Sequence, residues 1–139
     1  MAIFRKKISL RWSDLDPNYH LRHSSYHYLA DQHRIEILDQ LGVTLQVMKE
    51  QHFGPIIFRE ECVFVKEIRF ADEIEIDVRL SETNAEFSKW SVVHQFIDKE
   101  GLIRATLTIE GSWIDTQLRK LATPVPQVAI DALNRIPRT

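Results

Sequence analysis

The stretch DLDPNYHLRHSSYHYLADQHRIEILDQL, residues 14–41, decides the fold because a turn-rich segment leads into the longest helical pattern of the chain. Apolar or core-compatible residues recur at spacings of three or four and form one stripe, at Tyr26, Ala30, His33, Ile37 and Leu41. Such spacing is typical of an amphipathic helix. We predict a helix over residues 26–41, with Ser24 or Ser25 as its N-cap and Gly42 as its C-cap.

The segment before this helix is a candidate functional site. Residues 3–10 predict a strand, so Asp16 and His23 lie on the connection that leads from a strand to a helix start. Backbone N–H groups at a helix start have no partner within the helix, and they can polarise a carbonyl or hold an oxyanion.

The rest of the chain reads mainly as strands. Strict alternation predicts strands over residues 73–80, 90–96 and 103–113, and a further strand over 56–70 has apolar residues on both faces, which favours a central position in the sheet. Short helices are predicted over 43–51 and within 124–136. The order predicts one α+β domain over residues 1–139, in which an antiparallel five-stranded sheet wraps around one long helix.

Composition excludes several classes of function. The chain has 139 residues, a net charge of -2 and interspersed charges, which argues against nucleic-acid binding. No apolar run approaches the roughly 20 residues of a membrane span. The N-terminus lacks the apolar core of a signal peptide, so we expect a cytoplasmic protein. The single cysteine, Cys62, forms no internal disulfide and is expected to be buried.

The segment from Asp16 to Tyr26 resembles the signature of the 4-hydroxybenzoyl-CoA thioesterase branch of the hotdog-fold acyl-CoA thioesterases. In that signature an Asp is followed seven residues later by a residue at the helix start and ten residues later by a Tyr, which here are Asp16, His23 and Tyr26. His23-Ser24-Ser25-Tyr26 stands where one bacterial subgroup has His-Ala-Ser-Tyr.

The resemblance implies a hotdog fold and the hydrolysis of an acyl-CoA thioester to a free acid and CoA, without a cofactor. It implies that Asp16 is the nucleophile or general base, while the backbone N–H near His23 polarises the thioester carbonyl. The His23 side chain is a second catalytic candidate, and Tyr19, Ser24 and Tyr26 are candidates for substrate binding. A homodimer or homotetramer is also implied, since hotdog proteins pair their sheet edges and place the active site between subunits. Unpaired edge strands favour the same conclusion.

Several residues have alternative interpretations. Asp16-Pro17-Asn18 is also an ordinary turn opening. Asp14, two residues before Asp16, is expected to repel it and raise one pKa if the segment is extended. Tyr19 stands where the family usually has Gly, which predicts a different bend or a narrower pocket because bulky residues disfavour positive φ. Trp12 replaces a Tyr of the His-containing subgroup.

The remaining candidates favour structural roles. The histidines His20, His23 and His27 lack further ligands at a spacing typical of metal sites, so no metal is predicted. His33 and His94 are interpreted as core residues, and the tryptophans as packing residues. Arg5-Lys6-Lys7 is expected to solvate an edge strand, with the phosphates of CoA as the alternative partner.

Two classes of function remain open. The first is a hydrolase of acyl-CoA or acyl-carrier-protein thioesters. The second is a hotdog protein that binds an acyl thioester without turning it over. The sequence leaves open the acyl group, the carrier and the choice between dimer and tetramer.

Overall fold

A long helix, α1 (His23–Gln40), packs against one face of an antiparallel sheet in a computed structural model that describes residues 2–139. Two single turns of 3-10 helix, Ala2–Phe4 and Trp12–Asp14, precede α1. The other elements are β1 (Arg5–Lys7), α2 (Leu45–Gln51), β2 (Phe53–Phe64), β3 (Ile74–Asp77), β4 (Arg79–Thr83), β5 (Lys89–Asp98), β6 (Ile103–Asp115), β7 (Lys120–Leu121) and α3 (Gln127–Arg135). This is the hotdog arrangement that the sequence predicts.

Helix α1 buries the predicted stripe. Tyr26, Ala30, His33, Ile37 and Leu41 are all buried against the sheet. The helix begins at His23, with Arg22 as its N-cap, so the prediction of a serine cap is wrong.

The C-terminus of α1 ends as predicted, because Gly42 has a φ of +99°. Two hydrogen bonds, from Gly42 N to Asp39 O and from Val43 N to Leu38 O, close a Schellman motif there. The predicted short helix over 43–51 and the predicted terminal helix over 124–136 are both present as α2 and α3.

The sheet follows the order β1-β3-β5-β6-β2, with β4 beside β5 and β7 beside β6. Within residues 2–139 the sheet therefore has seven strands instead of the predicted five. The predicted strand over 73–80 divides at Val78, because the Asp77 carboxylate accepts the Gln95 N–H at 2.8 Å where a strand carbonyl would otherwise pair. Short β7 adds the seventh strand.

Strand β2 lies at the edge of the sheet, which corrects the prediction of a central position. Its backbone pairs with β6 on one side only within residues 2–139. Phe58, Val63 and Phe64 leave more than half of their surface exposed along this strand. The apolar pattern was interpreted as burial by neighbouring strands, whereas the single chain leaves these side chains uncovered.

The other edge strand, β1, is the basic segment of the N-terminus and is shorter than the predicted strand over 3–10. Arg5 pairs with Glu75 at 3.1 Å, Lys7 pairs with Glu73 at 3.5 Å, and Lys6 pairs with Glu36. The prediction of a solvated edge strand is confirmed. Because each cation has a carboxylate beside it, this cluster offers little free positive charge to phosphates.

None of the described helices has the length and apolar character needed to cross a membrane.

Candidate active site

Asp16 opens a tight turn and uses only one of its carboxylate oxygens to do so. Its Oδ1 accepts the N–H groups of Asn18 at 2.8 Å and His20 at 3.1 Å. The backbone closes the turn through Asp16 N to His20 O at 2.8 Å and Tyr19 N to Asp16 O at 3.0 Å. Asp16 therefore has the turn role of the alternative interpretation. Its Oδ2 accepts no hydrogen bond from residues 2–139, so one oxygen is fixed and the other remains available for chemistry.

Tyr19 adopts the backbone conformation for which the family pattern would have glycine. Its φ is +64°, in the left-handed region, so the bulky side chain does not keep this residue out of that conformation. The narrower pocket stays a prediction. The side chain is mostly exposed, and its ring centroid lies 6.1 Å from that of Trp12, which is also exposed. Trp12 was interpreted as a packing residue, and its exposed ring lies beside that of Tyr19 and outside the core. The two rings form an aromatic surface beside the Asp16 turn.

The turn is held directly against the start of α1. Arg22 donates from its backbone N to Asp14 O at 2.8 Å and from Nη2 to Leu15 O at 2.7 Å. Ser25 is buried, and its Oγ donates to Asp14 O at 3.1 Å. These bonds fix the loop before the helix and the first turn of the helix as one unit.

The first two N–H groups of α1 are available to a ligand. The backbone N–H groups of His23 and Ser24 donate no hydrogen bond to any of residues 2–139, and Arg22 gives no side-chain cap. The His23 side chain is exposed. No hydrogen bond joins it to Asp16, so the structure brings the two residues near one helix start without linking their side chains.

Asp14 is a structural carboxylate and not a like-charge partner of Asp16. It is buried, and it accepts the Arg11 backbone N–H at 2.8 Å and Arg11 Nη2–H at 3.0 Å. Burial by itself would raise the pKa of Asp14, but the hydrogen bonds and charge of Arg11 together lower this pKa below its ordinary value. The expectation that repulsion between Asp14 and Asp16 raises a pKa therefore has no support in this geometry.

A second set of contacts supports the turn from outside. Leu21 N donates to Ile68 O at 2.6 Å, which ties the loop to the segment that follows β2. Arg104 fixes that segment by donating to Glu67 O at 2.7 Å and to Asp72 at 3.1 Å, while it also pairs with buried Asp98 at 2.8 Å. Sequence reasoning missed this network because its members are distant in the chain.

Tyr26 is an interior residue at the base of α1. Its ring lies 5.0 Å from Phe64 and 5.1 Å from Phe96, in edge-to-face geometry with both. Burial, with smaller contributions from neighbouring charges, raises the pKa of Tyr26 to about 12. Burial likewise raises the pKa of the half-buried Cys62 thiol to about 11. Both groups are therefore neutral at physiological pH, and Tyr26 forms part of the wall beside the helix start.

The histidines differ in the partners of their ring nitrogens. His27 pairs with Glu60 at 3.5 Å, and residues 2–139 contain no cluster of three or more potential metal ligands. His94 is fully buried and has partners for both ring nitrogens, Asp77 O at 2.9 Å and Arg34 Nη1 at 3.2 Å, which confirms its interpretation as a satisfied core residue. His33 bonds Ile3 O at 2.9 Å through Nε2, but its buried Nδ1 has no partner within residues 2–139.

Arg34 is the functional candidate that the sequence reasoning missed. It lies on α1, is almost entirely buried, and pairs with exposed Asp31 at 3.2 Å. Arg34 and Asp31 are the charged residues in the wall of a mostly apolar cavity of about 170 Å³. The only sequence signal was His94 at a core position of a strand, since a buried histidine needs a hydrogen-bonding partner.

Comparison with known proteins agrees with this architecture. The family model for the thioesterase-like superfamily matches residues 10–133. A hypothetical protein of Staphylococcus aureus in complex with CoA is 11% identical, with a TM-score of 0.86 and coverage of 98% of this chain and 87% of that chain. A 1,4-dihydroxy-2-naphthoyl-CoA thioesterase of Synechocystis is 15% identical, with a TM-score of 0.82 and coverage of 95% and 96%.

A probable thioesterase of Escherichia coli is 16% identical, with a TM-score of 0.81 and coverage of 96% of this chain and 98% of that chain. No curated protein sequence matches the chain significantly. At these identities the structural likeness establishes the hotdog fold, and the family model establishes the family.

Proposed function

The chain belongs to the thioesterase-like superfamily, and we propose that it hydrolyses an acyl-CoA thioester to a free acid and CoA, with Asp16 as nucleophile or general base. The observation that carries this proposal is the divided use of the Asp16 carboxylate. Oδ1 is held by the N–H groups of Asn18 and His20, so the carboxylate is oriented before a substrate arrives. Orientation of a reacting group in advance is a large part of catalysis.

The reaction needs a group that attacks and a group that stabilises the oxyanion. As a general base, Asp16 Oδ2 takes a proton from water, the water oxygen adds to the thioester carbonyl, and the carbon–sulfur bond breaks as the CoA sulfur takes the proton. As a nucleophile, Oδ2 adds to the carbonyl, the carbon–sulfur bond breaks and CoA leaves as the thiolate, which gives a mixed anhydride. Water then hydrolyses the anhydride, which releases the free acid, regenerates the Asp16 carboxylate and supplies the proton that the CoA thiolate takes up. In both cases the N–H groups of His23 and Ser24 are the proposed donors to the carbonyl oxygen.

The other candidate residues have more limited roles in this proposal. Tyr19, next to Trp12, offers an exposed aromatic surface beside the reacting carboxylate. Ser24 contributes its backbone N–H, and Tyr26 provides an apolar wall. The exposed His23 side chain lies at the helix start, where it is positioned to orient water. The CoA complex of the Staphylococcus aureus neighbour supports CoA as the carrier.

We further propose that the active form is a homodimer, or a homotetramer built from such dimers, in which the β2 edges of two copies pair. Exposed Phe58, Val63 and Phe64 lie along an edge whose backbone, within residues 2–139, is unpaired on one side. A long apolar edge of this kind is a template for another strand. Pairing with a second copy would satisfy the backbone and cover the apolar side chains.

The test is thiol release from a panel of acyl-CoA esters by the wild type and by Asp16→Asn. Asparagine keeps an oxygen that can accept the N–H groups of Asn18 and His20, so the turn persists while the charge is lost. We expect kcat to fall by about 10²–10⁴-fold. Asp39→Asn is the matched control, because it makes the same change at an exposed position near the other end of α1.

The alternatives give different results. Equal turnover by the wild type and Asp16→Asn would refute the role of Asp16. Tight binding of acyl-CoA by a wild type that releases no thiol would favour the protein that only binds its ligand. Turnover of acyl-carrier-protein esters but not of CoA esters would change the carrier and keep the chemistry.

A further inference from the structure

Residues 65–72 join β2 to β3 and form a connecting segment that lies against the loop before α1. Leu21 N donates to Ile68 O at 2.6 Å. One position earlier on the loop, His20 forms an isolated antiparallel bridge with Arg69. The connecting segment therefore contacts the second half of that loop, just before the helix start.

The second half of the loop holds the proposed reacting carboxylate. Oδ1 of Asp16 accepts the N–H groups of Asn18 and His20. The hydrogen bonds from the start of α1 reach the carbonyl oxygens of Asp14 and Leu15, which belong to the first half. The position of the two donors to the carboxylate therefore depends on what holds the connecting segment.

Arg104, in β6, holds the connecting segment at both of its ends. Its carbonyl oxygen accepts the N–H groups of Val65 at 2.9 Å and Lys66 at 3.1 Å. Its Nη1 donates to Glu67 O at 2.7 Å and to Asp72 Oδ2 at 3.1 Å. One residue of the sheet thus fixes four residues of the segment.

The guanidinium of Arg104 is itself fixed from the side of the sheet. Its Nε donates to Asp98 Oδ2 at 2.8 Å, and both side chains are almost entirely buried. Oδ1 of Asp98 accepts the N–H groups of Glu100 at 3.0 Å and Leu102 at 2.9 Å, so the turn between β5 and β6 orients this carboxylate. A planar guanidinium has donors on several sides and can join Asp98 to the segment, whereas the single ammonium of a lysine cannot reach both.

Burial of Ile68 is the alternative explanation for the position of the connecting segment. The Ile68 side chain is fully buried in the core, which fixes one point of the segment. The peptide groups on either side can still rotate about their backbone dihedrals. The carbonyl of Ile68 points steadily at Leu21 N only if its neighbours are held as well. Arg104 holds Glu67 on one side, and Asp72 accepts Arg69 N at 2.8 Å on the other.

We propose that Arg104 is a positioning residue of the thioesterase reaction, which acts through residues 65–72 on the loop that holds the Asp16 carboxylate. This inference rests on the proposed function and adds a residue that acts without a hydrogen bond to Asp16. A displacement of about 1 Å in a reacting group costs up to about 10²-fold in rate. Loss of the side-chain contacts of Arg104 should therefore lower kcat and leave KM largely unchanged.

The first experiment combines Arg104→Lys with Asp16→Asn and measures kcat and KM for the acyl-CoA ester that the wild type hydrolyses fastest. Arg104→Lys keeps the charge and alone should lower kcat by about 10–10²-fold. With Asp16→Asn there is no carboxylate to position, so the same substitution should lower the residual kcat by less than about twofold, as expected for residues that act as a unit. An equal loss in both backgrounds would show a general structural effect and overturn the proposal.

The matched control is Arg79→Lys. Arg79 also pairs with a buried carboxylate, Asp77, at 3.4 Å, but it lies on β4. Its substitution should leave kcat unchanged. A loss as large as that in Arg104→Lys would show that disruption of any such ion pair slows the enzyme, and would overturn the proposal.

A second variant covers the case in which Arg104→Lys does not fold. Asp72 is partly exposed, so Asp72→Ala removes its bonds to Arg104 and Arg69 and leaves the buried pair of Arg104 with Asp98 intact. We expect a folded protein whose kcat is lower by about fivefold, which corresponds to one hydrogen bond. Full kcat in folded Asp72→Ala would overturn the proposal.

Amide hydrogen exchange separates this proposal from the proposed function. In Arg104→Lys the exchange of Leu21 N–H should accelerate at least about tenfold more than that of Leu107 N–H in the middle of β6, because the loop opens locally. An increase at Leu21 no larger than that at Leu107 would overturn the role of Arg104 and leave the thioesterase proposal intact. A wild type that releases no thiol from any ester would instead refute the proposed function, and with it the catalytic part of this inference.

Discussion

Gly111 should be the least replaceable glycine of the sheet, because β2 and β5 approach it from both sides. In β6 it pairs with Ile57 of β2 and with Trp90 of β5. A Cβ added at this position would overlap the carbonyl oxygen of Ile56 and lie 2.6 and 2.7 Å from two ring carbons of Trp90. Ordinary carbon contacts are about 3.5–4.0 Å.

The strain in Gly111→Ala is difficult to relieve. The Ile56 oxygen belongs to the backbone of β2, and the Trp90 ring is buried, so one strand must move. Overpacking of a closed site costs about 1–3 kcal/mol, and two simultaneous overlaps place this case near 3 kcal/mol. For a chain of this length, that loss lowers the melting temperature by about 10 °C.

The assay is thermal unfolding of Gly111→Ala beside Gly54→Ala. Gly54 lies in β2, and an added Cβ there meets nothing within 4 Å. Its substitution should therefore be neutral or slightly stabilising, since alanine restricts the unfolded chain. A melting temperature of Gly111→Ala within about 2 °C of the wild type would refute the reasoning. Because β2 also carries the proposed dimer edge, we expect the destabilised variant to dissociate more readily.

Two further predictions concern the dimer and the buried histidine. Val63→Lys places a charge on the proposed β2 interface and should yield monomers with little thioesterase activity. The control is Leu118→Lys, at an exposed apolar position on another part of the surface, which should leave the molecular mass measured by sedimentation unchanged. A dimeric Val63→Lys protein would exclude the β2 edge as the dimer interface. Burial, aided by the charge of Arg34, holds the pKa of His94 well below its ordinary value. Below about pH 6.5 the imidazole of His94 is therefore protonated in the unfolded chain but stays neutral in the folded chain. The free energy of unfolding consequently decreases as the pH falls. His94→Gln should reduce the difference between urea midpoints at pH 7.5 and pH 5.0, and an undiminished difference would contradict this cause.

Most of the fold could be predicted from local sequence patterns, because the side chains that each helix or strand buries recur with the period of that element. The stripe of α1 and the alternation of β5 and β6 each follow from side chains that repeat with the period of one element. The loop was harder to predict. Tyr19 adopts a left-handed conformation although it is bulky, because Oδ1 of Asp16 and the backbone of His20 hold the turn around it. Those bonds outweigh a local preference that opposes this conformation.

Residues that act through distant partners could not be recognised from the sequence. Arg34 and His94 are 60 positions apart, and Arg104 holds the segment around Glu67 from 37 positions away. In the sequence each resembles an ordinary surface or core residue. Only the folded chain shows that one buried arginine supports the loop behind Asp16 and that the other borders a cavity.

The error over β2 is itself informative about assembly. Its sequence has the composition of a strand covered on both faces and paired on both edges, yet the single chain pairs it on one edge and leaves Phe58, Val63 and Phe64 exposed. A sequence typical of a central strand can lie at the edge of the sheet in a single chain if β2 becomes a central strand when two copies pair. In that case the prediction of a central strand described the assembled dimer and not the single chain.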